Sequence, residues 1–595
     1  MLFNKTSLVA LWTIVAGIII IGLFFYPKWE KTRNEAMISW DAAGYYAYLP
    51  SAFIYHDLKD MQLTEQKAKE YQNGFEAFPA PNGHKITKYA IGQAVIFTPT
   101  FLIAHAIAEP LGYPADGFSY PYQLAIGLWG LLINILGFVF LRKLLIRHFK
   151  DKSVAIVLLV IYFATNYLNQ NTIENAYAHN HLFTLYALLL LLTEKYYRNP
   201  KAGTIISIGL TVGLMTLVRP TELITLLIPL FWSVGNRKQL IERLQFLQKK
   251  YTHILLAAVF VVLVGFIQLA YWKYAAGHWI YYSYGDQGFD FLQPHFYNCI
   301  FTYKKGWWVY TPVMSLIVPG FIVLFRRKAL FYPIFIYSLL FMYIVFSWQV
   351  WWYGGSMSQR SVVQLYVLLA FPLAAFAEYI LSKKRWIKMV FLGFLVFTTY
   401  YNFWLTYQAH YGGQLHPERM NRYYFRKVFL RNKANIDHKA LLDNKDYYDG
   451  PIQNPKVLYF TDFEQDTIGL CPDSPLSGKK SFWVRKNGPE FQGIKLVVPK
   501  DKRWLRASFK GQLRPKEWNE WHATQFVIKY MYKGNLVKTN LIRVDNLFKD
   551  SEIKPIRLDS KIPKEPFDDV WLFFITYSEH AGVAVDDLKV VVFDE

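Results

Sequence analysis

The sequence predicts a polytopic α-helical membrane protein with an all-β domain at its C-terminal end. Of its 595 residues, 53% are hydrophobic, and many fall in runs that reach the roughly 20 residues a membrane-spanning helix needs. Short basic segments separate these runs. After Pro455 the pattern changes to short stretches of alternating apolar and polar residues, which is typical of antiparallel β-strands.

Eleven membrane spans fit the apolar runs. The first covers Leu8 to Tyr26; it follows a single Lys5 and lacks a small-residue cleavage site, so we expect an uncleaved anchor rather than a signal peptide. The run from Tyr89 to Ala108 would break the alternation of the loops, and we expect a juxtamembrane or re-entrant helix on the outer face there. The other spans are expected at 121–141, 153–170, 178–194, 203–218, 220–234, 253–274, 309–325, 331–347, 361–380 and 386–405.

The net charge of +22 reflects membrane orientation. Five short segments between the spans hold twenty basic residues against three acidic ones. Because short basic loops mark the cytoplasmic face, we expect the N-terminus inside the cell and no nucleic acid among the partners. The basic residues are Arg142, Lys143, Arg147, Lys150, Lys152, Lys195, Arg198, Lys201, Arg237, Lys238, Arg243, Lys249, Lys250, Arg326, Arg327, Lys328, Lys383, Lys384, Arg385 and Lys388.

Three domains follow from these patterns. Residues 1–407 form the predicted membrane domain, in which 27–120 make the first outer loop. Residues 408–452 are interpreted as a linker, and 453–595 as a β-sandwich of the jelly-roll type on the outer face. The two cysteines, Cys299 and Cys471, are too few for a disulfide framework or a cysteine metal site, and whether they pair stays open.

Asp41 is the candidate catalytic residue. It stands among aromatic residues directly after the first span, where a carboxylate is poorly solvated. One interpretation is an N-cap for a helix running from Ala42 toward Ala52. The other is a general base that accepts a proton from an attacking hydroxyl. Tyr45, one helical turn further on, would line the same pocket.

A second candidate region runs from Trp348 to Arg360. Two adjacent glycines allow close approach of the backbone to a ligand, and a guanidinium can hold a phosphate in bidentate geometry. The alternative is an aromatic belt with a snorkelling arginine. The pocket residues expected here are Trp352, Tyr353, Gly354 and Gly355, with Arg360 on the phosphate.

Further cations are candidates for contact with a lipid phosphate. Arg219 and Glu222 flank a break between two short apolar runs, and they are interpreted either as an ion pair closing a helical hairpin or as part of a phosphate site. Lys88 precedes the juxtamembrane stretch. Lys304 and Lys305 precede a Gly-Trp-Trp run.

Glu174, His179 and His181 cluster at the outer end of a predicted helical hairpin. A divalent cation held by these residues and simple polar packing are both open interpretations, and no metal ligand is assigned. The sequence has no P-loop, no dinucleotide-binding glycine pattern and no nucleophile elbow. A divalent cation is therefore the one cofactor left open.

At these residues the membrane part, about 8–405, resembles the GT-C class of integral-membrane glycosyltransferases, which includes the protein mannosyltransferases and the lipid A aminoarabinose transferase. The resemblance is carried by Asp41, Lys88-Tyr89-Ala90, Tyr177 to Phe183, Arg219-Pro220-Thr221, Tyr303 to Pro312 and Trp351 to Ser361. The last segment is similar to a Trp-Trp-Tyr-Gly-Gly-Ser-Phe-Gly-Gln-Arg run of bacterial members, with Met357-Ser358 replacing Phe-Gly.

The resemblance implies an inverting glycosyltransferase in a bacterial inner membrane, with its active site and its C-terminal domain on the periplasmic or extracellular side. The implied partners are a polyprenyl-phosphate sugar donor, membrane lipid, and a glycan, lipid or protein acceptor. Asp41 would activate the acceptor hydroxyl, and Arg360 with Lys88 or Arg219 would stabilise the phosphate leaving group. Two other hypotheses remain, a transporter or flippase of lipid-linked glycans and a membrane-anchored glycan-binding protein.

Overall fold

The computed structural model describes residues 5–465, 470–471, 475–486, 493–499, 501–514, 523–549, 551–577 and 582–595. The chain divides into two compact units, Met1–Gly413 and Gln414–Glu595. The first unit is helical, and the second is mainly β-structure.

Helices of very different length build the first unit. Short helical turns at Pro220–Leu226 and Arg360–Leu365 join some of them, and two short strands, β1 (Phe78–Pro79) and β2 (Lys85–Ile86), form a hairpin. The helices are α1 (Lys5–Ile20), α2 (Trp40–Tyr46), α3 (Tyr48–Phe53), α4 (Gln62–Glu70), α5 (Gly92–Ala108), α6 (Tyr120–Leu145), α7 (Asp151–Phe163), α8 (Ala178–Arg198), α9 (Ala202–Val218), α10 (Leu227–Phe231), α11 (Arg237–Lys249), α12 (Tyr251–Ala276), α13 (Phe296–Phe301), α14 (Trp307–Tyr310), α15 (Ile317–Leu324), α16 (Lys328–Phe346), α17 (Tyr366–Leu381) and α18 (Arg385–Tyr407).

Seven helical segments in the described part of the chain are long and apolar enough to cross a membrane, so the predicted count of eleven is not confirmed. One of the seven, Gly92–Leu111, is the stretch that the loop alternation predicts to lie on the outer surface. The predicted span 153–170 is interrupted, because α7 ends at Phe163 before a stretch rich in asparagine. The seven are Lys5–Glu30, Gly92–Leu111, Tyr120–Leu145, Tyr251–Ala276, Lys328–Phe346, Arg360–Leu381 and Arg385–Gly412.

Helix α12 shows why this unit needs a lipid environment. Only 11% of its most apolar stretch is buried, whereas the corresponding share for Arg360–Leu381 is 89%. Leu255, Val262 and Leu263 on α12 are exposed. A helix that is apolar all round and largely uncovered by protein is stable only against lipid. With the other apolar helices, this indicates a multi-pass membrane protein.

Helix α12 packs closely against α9 because α9 carries two glycines on that side. A Cβ built on Gly209 would lie 2.6 Å from the carbonyl oxygen of Ala257, and one built on Gly213 would lie 2.9 Å from the Cβ of Val264. Small residues of this kind allow close approach of helix backbones in membranes. The two glycines therefore set the distance between α9 and α12.

The second unit contains two antiparallel sheets that share one apolar core, as the alternating pattern predicts for this part of the chain. One sheet has the order β5-β10-β7-β8. The other has the order β3-β11-β6-β9, and β4 also pairs with β11. The strands are β3 (Gln453–Thr461), β4 (Phe482–Val484), β5 (Ile494–Leu496), β6 (Trp504–Arg514), β7 (Gln525–Tyr532), β8 (Asn535–Arg543), β9 (Lys554–Lys561), β10 (Asp569–Ile575) and β11 (Gly582–Asp594).

Of the predicted linker 408–452, residues 414–452 belong to this second unit and carry helix α19 (Arg422–Val428). The side-chain amide of Asn444 donates to the carbonyl of Asp559 on β9 at 2.7 Å, which ties the segment to the sheet. Cys299 and Cys471 are both free thiols in the structure.

Candidate active site

Asp41 lies in the first turn of α2. The helix begins at Trp40, and Ser39 occupies the capping position, so the interpretation of Asp41 as the N-cap of a helix from Ala42 is wrong. The carboxylate instead accepts two hydrogen bonds. Arg360 Nη2 donates to Oδ2 at 2.5 Å, and the hydroxyl of Tyr89 donates to Oδ1 at 2.5 Å.

The Asp41 carboxylate is ionised and accessible. Its side chain keeps 26% of its surface exposed, against 7% for the side chain of Arg360. Burial by itself raises the pKa of Asp41, but the guanidinium of Arg360, the hydroxyl of Tyr89 and the ammonium of Lys88 outweigh this effect and hold the pKa below its usual value. The site therefore presents an anion that an entering hydroxyl can reach.

Tyr89 is seated against Asp41 by the residues around it. A Cβ built on Gly44, one turn after Asp41, would lie 2.3 Å from two ring carbons of Tyr89, so only glycine leaves room for the ring. The ring of Tyr45 packs on the other side, with centroids 4.5 Å apart. The Asp-Ala-Ala-Gly spacing on α2 thus supplies both the carboxylate and the space for its hydrogen-bond donor.

Arg360 is buried rather than extended to the membrane surface. Its guanidinium carbon lies 4.8 Å from the ring centroid of Tyr177, on the segment that precedes α8. Its Nε atom is buried and has no hydrogen-bond partner among the described residues. A phosphate entering beside Asp41 would meet a guanidinium that is held in place.

The loop before Arg360 depends on unusual backbone angles. Tyr353 has a φ of 51° and Gly354 a φ of 67°, and in this left-handed region glycine is the residue without strain. Gly354 thus serves the turn of this loop. Two lysines contact the same loop instead of Asp41: Lys304 Nζ lies 3.6 Å from the ring centroid of Trp352, and Lys305 donates to the carbonyl of Ser356.

Arg219 and Glu222 are joined through two other side chains. Arg219 Nη1 lies 3.2 Å from His179 Nε2, and His179 Nδ1 lies 3.0 Å from Gln364 Oε1. The amide nitrogen of Gln364 donates to Glu222 Oε1 at 3.1 Å. The hydroxyl of Tyr186 donates to Glu222 Oε2 at 2.6 Å, and Tyr337 bonds to Tyr186 at 2.6 Å. We call these six residues the Arg219 relay.

The relay holds a second guanidinium, that of Arg219, against the loop that leads to Arg360. Arg219 lies 5.7 Å from the ring centroid of Tyr353, in the loop that leads to Arg360. Tyr45 is within electrostatic reach of both cations: burial and Asp41 raise the pKa of Tyr45 to about 12, while Arg219 and Arg360 oppose the rise. Tyr45 thus lies within electrostatic reach of Asp41, Arg219 and Arg360.

Lys88 stands at the edge of this group. Its ammonium lies 5.2 Å from the ring centroid of Tyr89 and contributes to the lowered pKa of Asp41. Its backbone carbonyl accepts a hydrogen bond from Ser283 at 2.7 Å, which ties the 275–308 loop to the first outer segment.

Glu174, His179 and His181 have separate partners. Glu174 forms a salt bridge with Lys28 at 2.9 Å, and the ring of His181 bonds to the side-chain amide of Gln93 at 2.8 Å. His179 belongs to the Arg219 relay. Within the described residues, no group of three or more His, Cys, Asp or Glu side chains is placed to hold a metal ion. These three residues therefore do not fit a divalent cation.

Tyr89, Tyr177 and Gln364 contact the candidate site, although the sequence did not single them out as site residues. Gln364 follows Arg360 by four positions, a helical spacing that could have drawn attention to it. Tyr89 belongs to the Lys88-Tyr89-Ala90 segment that carries the resemblance, but no local pattern shows that its hydroxyl would contact Asp41.

The sequence matches no protein-family model, and no curated protein matches it. Among solved structures, the apo oligosaccharyltransferase of Archaeoglobus fulgidus is similar over 68% of this chain and 55% of its own, with 12% identity and a TM-score of 0.41. Arabinosyltransferase EmbB from Mycobacterium smegmatis is similar over 98% of this chain and 64% of its own, with 11% identity and a TM-score of 0.36.

A third similarity covers only part of the chain. The CBM22-1 xylan-binding domain of Xyn10C from Paenibacillus barcinonensis aligns with 24% of this chain and 99% of its own, with 12% identity and a TM-score of 0.19. At such scores and identities, none of these likenesses assigns an activity to this chain.

Proposed function

We propose that the Met1–Gly413 unit is an inverting glycosyltransferase that moves a sugar from a polyprenyl-phosphate donor to a hydroxyl of a glycan, lipid or protein. The observation that carries the proposal is the contact between the partly exposed carboxylate of Asp41 and the buried guanidinium of Arg360. The guanidinium of Arg219 lies within electrostatic reach of Tyr45, as do Asp41 and Arg360. A base next to two fixed cations is what transfer from a sugar phosphate requires.

The chemistry balances with these groups alone. Asp41 takes the proton of the acceptor hydroxyl as its oxygen attacks the anomeric carbon of the donor sugar. The bond from that carbon to the phosphate oxygen breaks, and the electron pair leaves with the lipid phosphate. Arg360 and Arg219, with Lys88 at the edge, stabilise the charge on the departing phosphate. Attack opposite the leaving group inverts the anomeric configuration.

Donor binding would also free the base. Arg360 pairs with Asp41, so a phosphate that binds Arg360 competes directly with the carboxylate. As the guanidinium turns to the phosphate, the pKa of Asp41 rises and the carboxylate becomes a stronger base. The Asp41–Arg360 pair thus keeps the base weak until a donor is present.

The charge pattern supports a location for this activity. The helix ends next to the twenty basic loop residues are expected on the cytoplasmic side, because short basic loops mark that face. The candidate site, formed at the opposite ends of α8 and α9, would then face the periplasm or cell exterior of a bacterial inner membrane. A lipid-linked donor would reach it from within the bilayer.

The test is release of polyprenyl phosphate from candidate polyprenyl-phosphate sugars by the purified full chain. We expect Asp41→Asn to lower the rate by at least about 100-fold, the usual weight of a general base. Asp60→Asn is the matched control, since Asp60 lies in the same outer segment and pairs with His84 at the surface. Equal rates for wild type and Asp41→Asn, at equal protein levels in the membrane, would refute the proposed role of Asp41.

The same purified protein also distinguishes a transferase from a transporter of lipid-linked glycans. Reconstituted vesicles that move the sugar lipid across the bilayer without releasing polyprenyl phosphate would identify a flippase. Release that requires an acceptor hydroxyl, with formation of the glycosylated acceptor, identifies the transferase.

A further inference from the structure

A cavity of about 580 Å³ lies at the ends of α6 and α8 and the start of α9. It is remote from the candidate active site: His179 stands at the first turn of α8, and the cavity is lined by Lys195 and Arg198 at the last turn. A helix of 21 residues is about 30 Å long at 1.5 Å per residue, which is close to the thickness of a bilayer core. The cavity and the candidate active site therefore belong to opposite membrane surfaces.

The cavity has a strong excess of positive charge. Five basic side chains line it, Lys143, Arg147, Lys195, Arg198 and Lys201. The buried carboxylate of Glu194 accepts bonds from Arg147 at 2.7 Å and Arg198 at 3.4 Å. The three lysines form no salt bridge within the part of the chain that the structure describes. The cavity thus lacks the anions that would balance its lysines.

The start of α9 adds to the unbalanced positive charge of the cavity. Lys201 occupies the N-cap position, and no side chain caps the helix. A helix N-terminus carries partial positive charge, so a lysine there is unfavourable unless an anion is also present. Gly203 in the first turn lines the cavity, which allows a ligand to come close to the backbone.

The other side of the cavity is apolar. Leu191 and Leu192, one turn before the basic end of α8, are half-buried and contribute to its wall. A free polar anion gains nothing from leucine side chains, whereas the glycerol and first acyl carbons of a phospholipid do. Orientation in the membrane explains why basic residues are at this end, but it does not require them to converge on one partly apolar cavity.

We propose that this cavity binds the phosphate headgroup of an anionic phospholipid from the leaflet opposite the candidate active site. The three lysines contact the phosphate oxygens, the start of α9 contributes its partial positive charge, and the leucines contact the acyl chains. Basic recesses between membrane helices recognise anionic headgroups in this way. This site is independent of the glycosyltransferase proposal.

The test measures lipid binding to the delipidated full chain by native mass spectrometry, with phosphatidylglycerol, phosphatidylcholine and inorganic phosphate as the three probes. The test variant is Lys143→Gln/Lys195→Gln/Lys201→Gln. The control is Lys383→Gln/Lys384→Gln/Lys388→Gln, which removes the same charge from another basic loop outside the cavity. We expect the test variant to bind phosphatidylglycerol at least about tenfold more weakly than wild type, and the control to bind it as wild type does.

Each result decides the matter. Selective loss in the test variant, with retention when the three lysines are changed to arginine, supports the site. Equal weakening in both glutamine variants would show general charge attraction and overturn it. Equal binding of phosphatidylcholine, or inorganic phosphate binding as tightly as phosphatidylglycerol, would overturn the anionic-lipid assignment.

Discussion

A buried hydrogen bond of 2.6 Å joins the hydroxyl of Tyr186 to the carboxylate of Glu222. The hydroxyl of another buried tyrosine, Tyr271, makes no such bond among the described residues. The hydroxyl of Tyr186 satisfies a carboxylate oxygen at one end of the Arg219 relay, whereas the hydroxyl of Tyr271 is buried and unpartnered among the described residues. The two tyrosines therefore provide a matched pair for measuring what the relay contributes.

We expect Tyr186→Phe to destabilise the protein by roughly 1–3 kcal/mol, because a buried carboxylate oxygen loses a donor. Tyr271→Phe removes a hydroxyl that makes no bond, and its effect should be near zero or stabilising. Thermal unfolding of both variants in the same detergent checks this. An equal loss in both would show that the relay bond has no special weight.

Gln364→Leu should break the relay at its centre. Arg219 would remain charged but would lose the support that reaches it through His179, so the effect should fall on donor binding. We expect KM for the donor to rise by about tenfold or more, with a smaller change in kcat. Ser338→Ala, at a buried hydroxyl without a described hydrogen-bond partner beside Tyr337, is the control. A change in kcat alone would contradict a positioning role for Gln364.

The pH profiles of kcat/KM and kcat should differ, because the first reports on the free enzyme and the second on its complex with the donor. Arg360, Tyr89 and Lys88 hold the pKa of Asp41 below its usual value, so the base stays ionised and the acid limb of kcat/KM should lie at lower pH than the ordinary titration of an aspartate. Since donor phosphate competes for Arg360, the acid limb of kcat should lie at higher pH. Coincident acid limbs in the two profiles would show that donor binding leaves the Asp41–Arg360 pair intact.

Gly44→Ala tests the seating of Tyr89. The added Cβ would overlap the Tyr89 ring, which must move and release the carboxylate of Asp41. We expect kcat to fall about 10- to 100-fold, as small displacements of catalytic groups do. Gly393→Ala is the control, because nothing lies within 4 Å of a Cβ built on that helical glycine. Unchanged kcat in Gly44→Ala would mean that the contact with Tyr89 is dispensable.

Breaking the Lys28–Glu174 salt bridge should destabilise the protein, because it leaves a buried charge without its partner. The two side chains are 8% and 18% exposed, so Glu174→Gln would strand a buried ammonium and cost roughly 3–5 kcal/mol. The exposed Lys67–Glu70 pair should contribute no more than about 1 kcal/mol when broken in the same way. Denaturant unfolding compares them, and equal losses would contradict the argument from burial.

The same pair has a pH signature. Burial raises the pKa of Glu174, but Lys28 and His410 outweigh this and hold it below its usual value. Its contribution to stability is therefore complete above the ordinary pKa of a glutamate. We expect that contribution to be lost only as the pH falls through the lowered value, and Glu174→Gln should abolish this part of the acid sensitivity.

Some of this organisation could be predicted from the sequence because it depends on residues that are close together in the chain. The apolar runs, the basic loops and the alternating C-terminal pattern each depend on neighbouring residues, and they predicted a helical membrane part followed by antiparallel β-structure. The number of spans could not be fixed, since an apolar run such as Gly92–Leu111 has the same composition whether it crosses a bilayer or lies along it.

The candidate site was only partly predictable for a different reason. Asp41 and Arg360 stood out as charges among aromatic residues, but their contact joins positions 319 apart in sequence. The relay draws on α8, α16 and the turns Pro220–Leu226 and Arg360–Leu365, and no local pattern shows that His179 and Gln364 would separate Arg219 from Glu222. The N-cap interpretation of Asp41 was wrong because the helix begins at Trp40 and its N-cap is Ser39, two positions before Asp41.

Gly209 and Gly213 have an effect beyond the helix pair in which they lie. They seat α12 against its neighbour, and the chain that leaves α12 returns to Lys88 through Ser283. A bulkier residue at either glycine would push α12 away from α9 and into the surrounding lipid. The outer loop would move with it, and Lys88, more than one hundred residues from either glycine in sequence, would lose its hydrogen bond from Ser283.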